Sequence, residues 1–528
     1  MSGPSAGVAP RARLPTLFGP LDPETAPPPI AVPASPDPAL AGGRPTLRRA
    51  LALLFAVLAL PTCLVLALLT PLGQVADEPA HVMRAASLLH GQWIGRRAPA
   101  LMGDGTTRVM AGLDVDQAVL GVQGGPNQAH LDLKLFEWRR EQGWAGFRYF
   151  YHIPSVSIYA PTFYVPAAAG MAAAKLAGAG PFVATYAARL ANAACFAAMS
   201  LAALLLARRG HALLFCTLSL PITLSLAGSV NQDGLLIGAS ALAAALLTRS
   251  APMTAAGPGL PRNLSYWGAA LLLTLVVAAK PPYAPLLVGL LFPLPPMRAW
   301  LGLRRPLLLR AAVVAVALLP GVLWGWYALS TVATPDDRPP YEAGPLWPGP
   351  RPAVFDGTDA AAQLTVLLAE PSRFVTLPWT TIIHDRALIR SMVGVLGWLD
   401  ILLPPLLYVL WYLAAPAALL CDLLARHGEA ARGNARDLLV GLAAGAACVL
   451  GIYLSQYLAW TAVGHTDVQG PSGRYLLPIL PFVALCLPAF AVAGSGRLRA
   501  ALALLPVAAV GAGLAVLPPL VVYATILR

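Results

Sequence analysis

Charge is what this chain has least of: only 11% of its 528 residues are Asp, Glu, Lys or Arg, while 57% are hydrophobic. Soluble domains carry roughly 25% charged residues, so a soluble globular protein is excluded and most of the chain must lie in lipid. Lysine is the scarcest basic residue: of 36 basic side chains only Lys134, Lys175 and Lys280 are lysines. Cysteine is also sparse. Cys63, Cys195, Cys216, Cys421, Cys448 and Cys486 all sit inside apolar runs, with no C-x-x-C or Cys/His spacing, which excludes a zinc finger and a disulfide framework and leaves them as small core residues. There is no G-x-G-x-x-G, no Walker loop and no soluble cytoplasmic domain, which argues against a nucleotide-sugar enzyme facing the cytoplasm. The net charge of +12 comes from short basic clusters between apolar runs. That is the positive-inside pattern of a multi-pass membrane protein rather than a nucleic-acid-binding surface.

What is present is apolar sequence in long blocks. Residues 1–48 are rich in Pro and Ala and carry no apolar run, so a disordered cytoplasmic tail is expected there, followed by a transmembrane domain over 49–528. The first uncharged run, 51–70, is long enough to cross about 30 Å of hydrocarbon and lacks the cleavage site of a signal peptide. Ten further runs follow, and the clusters at Arg208-Arg209, Arg249 with Arg262, Arg298 to Arg310, Arg426 to Arg436, and Arg497 with Arg499 all fall on the cytoplasmic side if residues 159–207 cross once. The expectation is an all-α polytopic bundle of about 11 transmembrane helices, N-terminus inside and C-terminus outside. Its first outer loop, 71–158, is aromatic and partly helical; a second, 331–392, is rich in proline. The Ala-rich 160–178 segment is expected at the outer interface or only partly inserted.

This alternation places the main polar residues at helix ends on one, outer, side. Asp77-Glu78-Pro79-Ala80-His81 follows the first run directly. Proline suits a first helical turn, so Asp77 or Glu78 is the expected N-cap, with His81 and Arg84 on one face and Gly91 as the stop. The same side receives Asn231-Gln232-Asp233, Lys280-Pro281-Pro282-Tyr283 and Gly473-Arg474-Tyr475. Ionisable residues at a membrane edge are functional candidates. Each also has a plain structural explanation: a snorkelling Lys280, an interfacial anchor at Arg474, a hydrogen-bonded His81, an N-cap at Asp233, and helix packing at Gly394, Gly397 and Trp398.

Taken in order, Asp77-Glu-Pro-Ala-His81 with Arg84 and Gly91, Tyr159-Ala-Pro161 with Tyr164 and Pro166, Asn231-Gln-Asp233-Gly234, Lys280-Pro-Pro-Tyr283, Gly394 to Asp400, and Gly473-Arg474-Tyr475-Leu-Leu-Pro478 resemble the bacterial membrane-protein family known as domain of unknown function 2142. Two motifs depart from it. The family more often reads Asn-Pro-Asp where this chain has Gln232, which puts a sharp proline turn in question, and Gln-Gly-Arg-Tyr where this chain inserts residues before Arg474. That family in turn looks like the GT-C superfamily of integral-membrane glycosyltransferases, which take a sugar from a polyprenyl phosphate.

The resemblance implies Asp77 as the catalytic carboxylate with Glu78 completing the pair, and Asp233 as the second acidic residue. Glycosyl transfer needs a base for the acceptor hydroxyl and donors for the leaving phosphate. Asp77 is the candidate base and Glu78 the group that orients it or binds metal. His81, Arg84, Lys280 and Arg474 are the candidate phosphate donors, and Asp233, Tyr283 and Tyr475 complete the substrate site. A divalent metal held by Asp77 and Asp233 is left open. The partners implied are a polyprenyl-phosphate-linked sugar, a glycan, lipid or protein acceptor, and the bilayer, at the outer face of the bacterial plasma membrane. The competing readings are a transporter or flippase for a lipid-linked saccharide and a non-catalytic subunit of a polysaccharide-assembly machine. Against transport, there is no convincing internal repeat.

Overall fold

The computed structural model describes residues 47–527 apart from 103–104, 125–132, 251–262, 295–303, 335–357, 386, 426–434, 488–489 and 492–494. The expected N-terminal tail, much of the second loop and the basic residues Arg262, Arg298 and Arg426 lie outside the described residues.

The chain is an all-α polytopic membrane protein. Helix α1 (Leu47–Leu69) leads to a short α2 (Glu78–Ser87), and within α1 a π turn at Phe55–Ala59 precedes Pro61, where the missing proline N–H opens the ladder. Next comes an antiparallel sheet, β1 (Arg96–Leu101), β2 (Thr107–Asp116) and β3 (Arg148–His152), with β2 central. The first loop is thus a small α+β subdomain, richer in strand than its sequence suggests. Asp114 on β2 holds Arg96 on β1 in a bidentate pair at 2.6 Å.

Helices α3 (Val165–Leu176) and α4 (Pro181–Leu206) pack side by side. The chain then bends by 113° between α5 (Pro221–Ala227) and α6 (Gln232–Leu247). Helix α7 (Leu264–Ala279) stops at Lys280, since residues before proline avoid the helical region, and a 3-10 segment, Pro281–Leu291, continues from it. Helices α8 (Arg304–Thr331), α9 (Pro405–Leu423), α10 (Ala435–Ala459) and α11 (Ser495–Val522) complete the bundle.

Among the described residues six helices are long and apolar enough to cross a membrane, or seven if the bent pair counts as one span. The remaining apolar runs behind the expected eleven are shorter pieces. Helix α7, with 16 residues, reaches only about 24 Å at 1.5 Å per residue. Apolarity was legible in each run, but the turns that cut those runs short depend on packing.

Candidate active site

Asp77 is the N-cap of α2, and its backbone is left-handed (φ 65°). Aspartate is one of the few residues that tolerates this conformation, at a cost of about 1 kcal/mol. Its side chain makes no capping bond to its own helix; instead it accepts from Nη2 of Arg474. The stretch that leads into Asp77, residues 73–76, is fastened to the 394–400 segment. Ala76 N donates to Gly397 O (2.9 Å), and Trp398 Nε1 donates to Gly73 O (2.9 Å).

Asp233 comes from the first turn of α6, where Asn231 is the cap and accepts from the Asp233 amide at 2.8 Å. Lys280 Nζ donates to Asp233 Oδ1 at 2.5 Å and lies 4.5 Å from the centre of the Tyr475 ring. Arg474 is the second residue of a 3-10 turn, Gly473–Ile479, that packs tightly on the short helix Leu388–Val393. A Cβ at position 473 would lie 2.4 Å from the Met392 amide, so only glycine fits. The Arg474 guanidinium spans both carboxylates, with Nη2 on Asp77 and Nε 3.7 Å from Asp233 Oδ2. Four groups from four distant stretches thus alternate in sign, Asp77, Arg474, Asp233, Lys280. Despite the inserted residues, Arg474 sits within this chain.

Within the chain, exposure is uneven. The Asp77 side chain is 48% exposed and that of Arg474 only 5%, while Arg474 Nη1 is buried without a hydrogen-bond partner. Burial alone would raise the Asp77 carboxyl, but the charge and hydrogen bond of Arg474 more than offset it and hold it below the usual carboxylate range. Asp77 is therefore ionised at neutral pH. His81 is buried and near-parallel to the rings of both Tyr159 and Tyr164, with Nδ1 2.6 Å from the Tyr164 hydroxyl. Burial pushes its pKa down to about 4, so at neutral pH it brings a dipole rather than a charge.

The remaining expected site residues fall elsewhere. Glu78 is fully buried and turned away from Asp77, in a bidentate pair with Arg189 of α4 at 2.6 and 2.7 Å. Arg84 is likewise fully buried and spends its donors on Ser87 Oγ and the carbonyls of Gln92, Trp93 and Tyr159, so it braces the first loop. Tyr283 donates to the Tyr475 carbonyl at 2.8 Å and steadies the turn that carries Arg474.

For a divalent metal the arrangement fits poorly. Among the described residues no group of three or more His, Cys, Asp or Glu is placed to hold one. Moreover, the space between Asp77 and Asp233, where an ion would sit, is taken by the Arg474 guanidinium.

Beside the charged chain lies a cavity of about 820 Å³. Lys280, Tyr159, Tyr283 and Tyr475 make its polar end, and α8 and α10 supply apolar walls, including Leu329 and Leu458. Val322, Trp326 and Leu329 on α8 are 53%, 68% and 63% exposed, so the wall that α8 supplies stands at the surface of the bundle. Asp77, Asp233 and Arg474 stand behind the polar end and are linked to it through Lys280 and Tyr475.

Sequence reasoning missed Arg189. Its signal was present, as a single charge in the Ala-rich α4, because a charge inside a span needs a partner.

A family model described as "Predicted membrane protein (DUF2142)" matches residues 60–483. No curated protein and no solved structure matches the chain.

Proposed function

We propose that this chain, which belongs to the DUF2142 membrane-protein family, is a glycosyltransferase of the GT-C type. It moves a sugar from a polyprenyl-phosphate donor to a hydroxyl of an envelope glycan, lipid or protein at the outer face of the bacterial plasma membrane. One observation carries this reading: an ionised, half-exposed carboxylate, Asp77, is joined through Arg474 and Asp233 to Lys280, which lines an apolar cavity at the bundle surface. The cavity suits an isoprenoid tail, whose transfer from water to an apolar seat gains about 0.8 kcal/mol per CH₂.

In the reaction the acceptor oxygen attacks the anomeric carbon, the bond from that carbon to the phosphate oxygen breaks, and the hydroxyl proton passes to Asp77. The polyprenyl phosphate leaves as an anion held by Lys280 and by the free Nη1 of Arg474. A phosphate arriving at Arg474 also competes with Asp77 for the guanidinium, which restores basicity to Asp77 when it is needed.

The test uses purified protein in liposomes containing polyprenyl-phosphate sugars. Asp77→Asn should bind donor normally and lose roughly 10²-fold to 10⁴-fold in turnover. Lys280→Ala should weaken donor binding by about 1.5 to 3 kcal/mol. Full turnover by Asp77→Asn would remove the base from the mechanism. The 113° bend beside Asp233 favours a second reading, a flippase for lipid-linked saccharides, because transporters build midplane sites from broken helices. Wild-type protein that moves the labelled lipid between leaflets without cleaving sugar from it would establish that alternative.

A further inference from the structure

The Glu78 carboxylate touches more than Arg189. Its Oε1 accepts from Arg189 Nε and from the Val230 amide at 3.1 Å, and its Oε2 accepts from Arg189 Nη2 and from the Gly73 amide at 3.2 Å. Gly73 lies in the turn that presents Asp77, and Val230 lies in the bend that presents Asp233. One carboxylate therefore joins the two turns. Arg189 extends the joint by donating to the carbonyls of Ala67, Thr70 and Pro71 at the end of α1, at 2.5 to 3.0 Å. Three residues along α4, Asn192 donates to Ser229 O at 3.0 Å, holding the bend from the same helix.

We propose that Glu78 and Arg189 are a positioning pair whose role is to fix the Asp77 turn against the Asp233 turn, so that one guanidinium, Arg474, can meet both carboxylates. The physical reason is the Asp77 backbone. A left-handed residue that makes no cap of its own relaxes unless its neighbours over-determine it. Here the next residue in the chain is locked by four hydrogen bonds, in a setting with no water to replace them. The pair does no chemistry: it is sealed from solvent at 0% exposure on both sides, and every oxygen of Glu78 is occupied.

The inference rests on Asp77 as the reacting group, but its test does not need the transfer reaction. With Asp77→Cys in a background where Cys195 is replaced by alanine, the thiol sits beside Arg474, and its reaction with a small methanethiosulfonate is followed against pH. With the pair intact the thiolate should form below the ordinary cysteine pKa of about 8.5. Adding Glu78→Gln, or Arg189→Lys if that variant does not fold, should raise the midpoint by about one pH unit, cutting the neutral-pH labelling rate roughly five- to tenfold. Arg84→Gln is the control, since it removes an equally buried arginine from the same subdomain but leaves the two turns joined, and it should not move the midpoint. An unchanged midpoint in the pair variant that folds would overturn the proposal, and so would an equal shift in the Arg84 control, which would mark a general loss of stability. A shift confined to the pair variants, in protein whose wild type transfers no sugar, would uphold the positioning pair and count against glycosyl transfer alone.

Discussion

Burial disfavours the protonated form of the His81 imidazole, so His81 couples the fold to pH. Its folded pKa is about 4 against an ordinary value of 6.5. As pH falls, the unfolded chain takes up this proton first, and stability falls with it. The contribution is whole above about pH 6.5 and declines until about pH 4, where the loss reaches roughly 3 kcal/mol. Asp77, also held low, acts in the same sense but only below the ordinary carboxylate value of 3.8, so the two windows separate. His90 is lowered too, by burial first, which makes a single-site comparison necessary. His81→Asn keeps a hydrogen-bonding group near the Tyr164 hydroxyl and removes the titration. Thermal unfolding in detergent from pH 7.5 to 4.5 should then show a flatter decline than wild type, and parallel curves would assign the coupling to other groups.

At the scale of elements, what was legible depended on whether the determinants are local. The Asp77-Glu-Pro cap, the Gly91 stop and the break at Lys280-Pro-Pro are written in adjacent residues and stand where the sequence puts them. The three-stranded sheet was not legible, because β1 contains Pro99 and its pairing with β2, and that of β2 with β3, is set by contacts between segments rather than by a clean alternation. The Glu78–Arg189 pair joins residues 111 apart, so nothing near Glu78 announces that it is structural. The α5–α6 bend is the most informative case, since the sharp turn exists without the proline that the family pattern carries. It is made by close packing: a Cβ on Gly234 would lie 2.6 Å from the Ala227 amide. Gln232 occupies the first helical position, where a proline N–H is not missed, and Asn231 before it is already extended (φ −134°, ψ 137°), as a residue before proline requires. Both polar atoms of its buried amide lack partners. Gln232→Pro should therefore be tolerated and stabilise the protein by about 0.4 to 1 kcal/mol through the unfolded chain, with a further gain from removing unpaired polar atoms. Thermal unfolding measures this, and a fall in midpoint would mean that Gln232 has a partner or a strain not visible in its surroundings.

On the scale of the whole molecule, the short elements explain why charge can gather at one end of a bundle that is otherwise apolar. Helix α7, the start of α6 and the 473–479 turn each end at the same charged chain, while the long spans α8 and α10 run past it and wall the neighbouring cavity. A headgroup and its tail would then be read by different parts of the fold, charge by the four-group chain and length by the cavity. Gly325 on α8 allows these to be separated. It lines the cavity, and a Cβ there meets nothing within 4 Å. Leucine at this site should not harm the fold; in a helix interior it gains roughly 0.5 kcal/mol or more over glycine. Its four added carbons would instead occupy space that the proposal gives to the lipid. Gly325→Leu should thus keep or raise the melting temperature, weaken a long-chain polyprenyl-phosphate sugar by roughly tenfold, the loss of about two buried methylene contacts, and spare a water-soluble short-chain analogue. Gly511→Leu on α11, equally unhindered but away from the cavity wall, supplies the control for surface effects. Equal binding of the long-chain donor by both variants and wild type would show that the tail is seated elsewhere, whatever the chemistry at Asp77.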